Sequence, residues 1–390
     1  MEPAMLHRLR PVLTAIVLLG ALIPTIGPAR AQQSTPARAA IVIDMLSGAV
    51  LLEKNADEML PPASMSKLMT NMMVFEQLDS GRLKLSDQFL ISANAAALGG
   101  SRMFVRQGSR VSVENLLRGV VIQSGNDAAV ALAEAIAGTE DDFAKLMNRR
   151  AAELGIENAR FANATGWPHP DHRISVRALA QIAERIIRNF PEHYKLFSER
   201  EFTWDGITQR NRNPLLGSVE GADGLKTGHT SEAGYGLVAS AEREGRRVLL
   251  VVAGLESVGQ RRQEAERLMN WAFRAFDTEV LQKAGEPVID AATWTGAAPT
   301  VPLAPAEDVI LTAPIGDLDR ATVTALYEGP LPAPIAEGDV LGALEIEVPG
   351  LPVRRVPLVA TVDVAPGGFL VRMEAAAELL FYRALALAGL

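Results

Sequence analysis

The chain has 390 residues, 48% of them apolar, a formal net charge of −8 and no cysteine. That length suits two domains or one large domain with an appendage, and the apolar content excludes global disorder. With no cysteine there can be no disulfide, thiolate metal site or cysteine nucleophile, and an acidic chain without a long basic run is a poor nucleic-acid partner.

Residues 1–31 read as a secretory signal: His7, Arg8 and Arg10 supply a positive start, Val12 to Ile26 an apolar run, and Ala29-Arg30-Ala31 a small-x-small cleavage site before Gln32. The rival is an uncleaved membrane anchor, but the run is short for a span and carries Pro24 and Pro28 near its end. Export without cysteine fits an envelope protein that does not rely on disulfides.

Ala39 to Glu53 alternates around a Met45-Leu46-Ser47-Gly48 turn and predicts a β-hairpin. Pro61-Pro62-Ala63-Ser64-Met65-Ser66-Lys67 follows, then an apolar helical run from Leu68 to Leu78 stopped near Ser80-Gly81. This places Ser64 in the first helical turn, with Lys67 on the same face. A serine needs a base within reach, and a lysine serves if burial or a nearby cation lowers its pKa. The helix start also leaves the Ser64 N–H free to face an oxyanion. By itself S-x-x-K is a weak pattern, most often a capping serine and a solvated lysine.

Leu83 to Arg110 is mixed and Gly-rich, and its Ser92-Ala93-Asn94 triplet reads as a polar loop. A helix from Ser112 runs into Leu116–Ile122, and a small-residue helix spans Asp127 to Ala137. Ser124 and Asn126 therefore sit in a tight connection between buried helices, where Gly125 lets the backbone turn. Helices are predicted at Asp141–Leu154 and Val176–Asn189. Between them, His169 and His172 could suggest a metal site, but Pro168 and Pro170 keep them off one helix face, so a surface loop is the reading taken.

Strands are predicted at Phe202–Trp204, Leu237–Ala241 and Arg247–Gly254, with Glu244-Gly245 turning between the last two, and a helix at Arg261–Phe276. Gly224-Leu225-Lys226-Thr227-Gly228-His229-Thr230 precedes that pair and reads as an edge strand. There Lys226 and Thr227 could face an anion and Gly228 could admit a ligand's backbone, or the lysine could simply guard an exposed edge. From Glu286 to Val364 prolines are frequent and short β-rich pieces recur (Val309–Thr312, Ala321–Leu326, Leu344–Val348, Val356–Val364). The tail, Leu370 to Leu390, is an apolar helix with a few balanced charges. It is suited to a membrane interface, the alternative being a helix docked on its own β-domain.

Ser64-x-x-Lys67, Ser124-Gly125-Asn126 and Lys226-Thr227-Gly228 form, in this order, the motif set of penicillin-binding proteins and class A β-lactamases. On these stretches and their flanks (Pro62 to Thr70, Ser124 to Ala128, Asp223 to Thr230) the chain resembles the low-molecular-mass penicillin-binding proteins that are D-alanyl-D-alanine carboxypeptidases, of the serine peptidase S11 kind.

The resemblance implies an α/β (α+β) β-lactamase/transpeptidase-like domain over residues 32–281, helices packed on an antiparallel sheet. A small all-β domain over 282–369 and an amphipathic tail helix over 370–390 would follow. It implies that Ser64 attacks the D-Ala–D-Ala carbonyl of the peptidoglycan stem pentapeptide while Lys67 takes its proton, and that Ser124 relays a proton to the leaving amine. Asn126 would hold the substrate amide, and Lys226, Thr227 and Gly228 the carboxylate end. The N–H groups of Ser64 and His229 would form the oxyanion hole, and Arg261 would add positive charge near the carboxylate. β-Lactams would acylate Ser64, no cofactor or metal is called for, and the place of action is the outer face of the inner membrane.

Glycine at 125 replaces the aspartate of the β-lactamase motif, and no E-x-x-L-N string lies between Asn126 and Lys226, so efficient penicillin hydrolysis is not expected. Two alternatives stand beside the carboxypeptidase. One is a D,D-endopeptidase with the same site, disfavoured by the β-rich C-terminal region; the other is a non-catalytic envelope-binding protein, disfavoured by the intact residue set.

Overall fold

The computed structural model describes residues 33–387; the expected signal, residues 1–31, lies outside them. Strand β1 (Ala39–Asp44) and β2 (Val50–Lys54) make the expected hairpin, and a short 3-10 turn, Ala63–Ser66, leads into α1 (Lys67–Asp79). The region expected to be irregular holds β3 (Gln88–Leu90), α2 (Ala93–Ala97) and β4 (Arg110–Ser112). Ser92, read as part of a polar loop, instead caps α2 by accepting the Ala95 N–H at 2.9 Å.

Helices α3 (Val113–Val121), α4 (Asn126–Ala137) and α5 (Glu140–Glu153) follow, then a two-residue pair β5 (Ala159–Arg160) and β6 (Arg173–Ile174), and α6 (Val176–Asn189) and α7 (Pro191–Tyr194). The predicted strand at Phe202–Trp204 is β7 (Glu201–Trp204). It pairs only with β8 (Ile207–Arg210), a hairpin outside the main sheet. Strands β9 (Ala222–Thr230), β10 (Gly234–Arg243) and β11 (Arg246–Leu255) then complete the sheet, and α8 (Val258–Ala275) covers it. The β10–β11 turn is at Glu244-Gly245, both with positive φ, as the sequence suggested.

The sheet has the order β2-β1-β11-β10-β9 and is antiparallel throughout. Alternate residues of its central strands enter two different cores. Ile41, Val238, Leu249 and Val251 join the helices α1, α3, α4, α5 and α6, whereas Val42, Leu237, Leu250 and Val252 join Leu268 and Met269 of α8. Both faces are covered, so β1, β10 and β11 are apolar runs, and β1 lacks the polar alternation expected of it. The helical layer closes around α4, whose small residues Ala128 to Ala133 are all buried.

Strand β12 (Phe276–Gln282) runs straight out of α8 and pairs with β15 (Val309–Pro314), ahead of Glu286, where the texture of the sequence changes. The remaining strands are β13 (Ile289–Trp294), β14 (Thr300–Pro305), β16 (Thr322–Tyr327), β17 (Leu331–Pro332), β18 (Val340–Glu347) and β19 (Arg354–Ala360). They form a six-stranded sheet around its own core, in the order β16-β18-β19-β14-β13-β17.

Strand β14 escapes a sequence reading because it carries Pro302 and Pro305 yet lies between β13 and β19. The Pro302 carbonyl still accepts the Thr361 N–H, so the proline costs the ladder a donor and not an acceptor. The junction between the β-rich part and the first sheet is polar. Buried Asp44 accepts from Arg246 Nε at 2.6 Å and Thr278 Oγ1 at 3.1 Å, and Ser47 meets Thr312 at 2.6 Å. The tail is α9 (Phe369–Leu387), and among the described residues no helix is long and apolar enough to cross a membrane.

Candidate active site

The Pro61-Pro62 segment delivers the chain into the Ala63–Ser66 turn, so α1 begins at Lys67 and not before Ser64. Lys67 is fully buried, and its Nζ lies 2.9 Å from Ser64 Oγ, 2.7 Å from Asn126 Oδ1 and 2.6 Å from the Thr165 carbonyl. The Asn126 amide is oriented by its Nδ2, which donates to the Gly99 carbonyl at 2.9 Å, so its oxygen faces the lysine.

Two of the three neighbours of Nζ can only accept. A neutral amine therefore spends both N–H groups on Asn126 and Thr165 and turns its lone pair to the Ser64 hydroxyl. Burial, aided by the Arg212 cation, brings the Lys67 pKa down to about 7, against a smaller upward pull from Glu140 and Asp127. The base form is thus accessible near neutrality.

Ser124 has φ 60° and carries the left-handed step of the α3–α4 connection, a step expected at Gly125. Gly125 has φ −57° and is required for space, since a Cβ there would meet Asp127 Oδ1 at 2.9 Å and the Gly119 carbonyl at 3.2 Å. The strained serine presents its Oγ to Lys226, which donates to it at 2.8 Å. Lys226 is itself buried on edge strand β9. Desolvation first, then the Lys67, Arg212 and Arg261 cations, hold its pKa well below that of a free lysine, a cost that an arriving carboxylate would relieve.

Gly228 has a packing reason to be bare as well. A Cβ there would lie 2.8 Å from the Pro62 carbonyl and 3.2 Å from Ala63 Cβ, so its bareness lets β9 pack on the turn that carries Ser64. The neighbouring His229 ring stacks on Tyr235 at 3.9 Å.

Ser64, Ser124, Thr227, Gly228, His229 and Arg261 line one cavity of about 420 Å³. All nine residues singled out in the sequence are thus joined, Lys67 and Asn126 through Ser64 and Lys226 through Ser124. Arg261 is mostly buried, sits 5.8 Å from the Tyr235 ring centroid, and its Nε has no hydrogen-bond partner among the described residues. Thr227, Arg212 and an Arg261 guanidinium with an unpartnered Nε give the cavity a lining that can receive a carboxylate.

Sequence reasoning missed several contributors. Arg212 lines the same cavity and donates to Ser101 Oγ, but nothing in Asn211-Arg212-Asn213 marks it. Asp127 accepts the N–H groups of Met103, Phe104 and Val105 at 2.8–3.2 Å and so fixes the loop that carries them. His172, assigned to a surface loop, is 1% exposed and lies 2.7 Å from Ser66 Oγ, behind the nucleophile's turn. Its Nδ1 accepts the Ala162 N–H at 3.3 Å, which leaves the proton on Nε2 to donate to Ser66. The ordinary surface preference of histidine misled here, because burial depends on what packs over the loop.

Comparison with known proteins agrees with this arrangement. Residues 27–257 match the family model described as D-alanyl-D-alanine carboxypeptidase, peptidase S11, and residues 276–366 match that of the penicillin-binding protein 5 C-terminal domain. The D-alanyl-D-alanine carboxypeptidase DacC of Escherichia coli (strain K12) is 38% identical over 87% of both chains, and DacF of Bacillus subtilis (strain 168) 33% identical over 92% of this chain and 96% of its own. The crystal structure of penicillin-binding protein 5 from Haemophilus influenzae superposes with a TM-score of 0.80 at 35% identity, covering 85% of this chain and 98% of that one. This chain belongs to the S11 peptidase family of D-alanyl-D-alanine carboxypeptidases.

Proposed function

We propose that the chain is a serine D-Ala-D-Ala carboxypeptidase that releases the terminal D-alanine of peptidoglycan stem pentapeptides and is trapped by β-lactams at Ser64. The observation that carries this reading is the neighbourhood of Lys67 Nζ, with two obligate acceptors and one serine hydroxyl. Ser64 Oγ attacks the penultimate D-alanine carbonyl as its proton passes to Lys67. The N–H groups of Ser64 and His229 receive the oxyanion, Ser124 passes a proton to the leaving amine, and Asn126 steadies the substrate amide. Lys226, Thr227 and Arg261 hold the departing residue's carboxylate, with Arg212 adding charge from the facing side. Water then hydrolyses the acyl-enzyme.

The same reading places the protein outside the cytoplasmic membrane after removal of residues 1–31. The tail helix α9 would rest in the membrane interface through Phe369, Leu370 and Met373, which are more than half exposed. It also divides the remainder into a catalytic part and a β-rich part that stands between it and the tail.

Intact-mass analysis with benzylpenicillin, together with D-alanine release from a pentapeptide, tests the function. One penicilloyl group per chain and stoichiometric D-alanine are expected, both abolished in Ser64→Ala. An adduct on the Ser64→Ala variant would refute the assignment of the nucleophile. Fractionation of cells expressing the chain with and without residues 370–390 tests the tail.

A further inference from the structure

A second cavity, of about 540 Å³, shares Ser64 with the first and has Glu232 in its wall. One wall is Trp167, half exposed, whose ring lies against the backbone of Gly100 so closely that a Cβ there would touch it at 2.9 Å. Another part of the wall is the tip of the β9–β10 hairpin, Thr230 to Glu232, held by the Ala233 N–H donating to Thr230 Oγ1 at 3.0 Å. Glu232 is fixed by Arg173, which donates from Nη2 at 2.8 Å while its Nη1 is tied to the His169 and His172 carbonyls. Glu232, on the cavity wall, therefore stands beside a guanidinium bonded to it, and both side chains keep partial exposure to solvent.

The register of β9 says what would meet that pair. This step rests on the carboxypeptidase reading above. β9 is the edge of its sheet, and a peptide laid antiparallel along it advances by roughly 3.3 Å per residue. With the terminal carboxylate at Lys226 and Thr227 and the attacked carbonyl at His229, the preceding residue, third in the stem, comes opposite the hairpin tip. Its side chain then enters the Trp167 cavity, a few methylenes along the indole and its polar end at Glu232.

We infer that the Arg173–Glu232 pair selects stem peptides whose third residue ends in a carbon bearing both an ammonium and a carboxylate, over those ending in an ammonium alone. A bare ammonium gains from Glu232 but is repelled by the adjacent guanidinium. The amino-carboxylate end matches both charges at once, and a neutral end matches neither.

Three pentapeptides differing only at the third residue test this: one with the amino-carboxylate side chain, one with lysine and one with norleucine. For the wild-type protein kcat/KM is expected to favour the first over the second by about fivefold, the scale of a half-exposed charge pair, with norleucine lowest. In Arg173→Gln the ratio of the first to the second should fall toward one, since both still offer an ammonium to Glu232, whereas Glu232→Gln leaves the guanidinium in place and should weaken the lysine peptide more than the first. Equal kcat/KM for all three peptides in the wild type, a ratio that does not fall in Arg173→Gln, or one that falls in Glu232→Gln, overturns the inference. If all three peptides lose D-alanine without discrimination, only this inference fails. If none does and benzylpenicillin forms no adduct, the carboxypeptidase reading fails with it.

Discussion

Lys226 reaches Ser124 across 102 residues of sequence, its Nζ donating to the serine Oγ at 2.8 Å with both residues buried. Because the ammonium supplies that bond, the serine's own proton is left to point into the cavity, where the leaving amine is expected. Ser124→Ala is therefore expected to lower kcat for D-alanine release by 10²-fold or more, the ordinary scale of general acid catalysis. Rapid-quench measurement of D-alanine from a pentapeptide checks this, and a loss below threefold would remove Ser124 from the proton path.

The acid limb of activity should follow Lys67. Its pKa lies at about 7 against 10.5 for a free lysine, so the neutral base dominates above pH 7 and is lost, tenfold per unit, below it. Since the Arg212 cation is part of what lowers this pKa, Arg212→Gln should move the inflection upward while it weakens carboxylate binding. The second-order rate of benzylpenicillin acylation between pH 5 and 9 reports both. An unmoved inflection in the variant would mean that burial alone sets the lysine.

Much of this site was legible because its chemistry requires fixed residue types at fixed local spacing. Ser64 and Lys67 share a helical face, and Lys226-Thr227-Gly228 falls on a β-rich run beside a recognisable turn, so their elements followed from period and punctuation. What was not legible depends on packing at long range. Arg212 acts only because β8 ends beside Ser101, and His172 is buried only because Ser66 and Phe161 close over it. Strand β14 hid behind its prolines, and the role of Gly228 could be assigned only once the Pro62 carbonyl was seen to press on it. The tail's periodicity was readable from its own residues, as α9 shows.

Gly166 couples the loop before Trp167 to the nucleophile. It has φ +78°, and a Cβ would lie 1.8 Å from the Ala63 carbonyl oxygen, so no side chain fits without shifting either the 3-10 turn or the Thr165 carbonyl that holds Lys67. Gly166→Ala should cost about 2 kcal/mol or more of stability and reduce penicillin labelling of the folded fraction. Denaturant titration followed by labelling below the transition checks both effects.

His172 makes a separate demand on pH. Burial first, with help from His169, Lys67 and Arg173, holds its pKa at about 4, below the 6.5 of a free imidazole. Between those values the unfolded chain binds the proton and the folded one does not. Stability therefore falls as pH drops from 6.5 toward 4, by about 3 kcal/mol at most from this group. In His172→Gln the amide can still donate to Ser66, but this proton-linked loss disappears. The difference in unfolding free energy between variant and wild type should shift toward the variant as the pH is lowered from 7 to 4.5, and a constant difference would show that His172 does not titrate this way.

Asp127 gives the opposite test of the lysine's electrostatics. Its two oxygens accept four backbone N–H groups, from Met103 and Ala128 on one side and Phe104 and Val105 on the other, with Phe104 held at φ 67°. An asparagine presents an NH₂ where one of those oxygens stood, so Asp127→Asn sets donor against donor at a buried site, a loss of about 2 kcal/mol. The loop should then become open to proteolysis near Phe104. The Asn126 amide, which donates its backbone N–H to the Ser101 carbonyl and its Nδ2 to that of Gly99, should lose its hold on Lys67. The same change removes a negative charge that raises the Lys67 pKa, so the inflection of acylation in the variant should move below pH 7, the reverse of Arg212→Gln. An inflection that moves upward in Asp127→Asn would mean that loosening of the pocket outweighs the lost charge, and that Lys67 owes its base form to rigid burial more than to its charged neighbours.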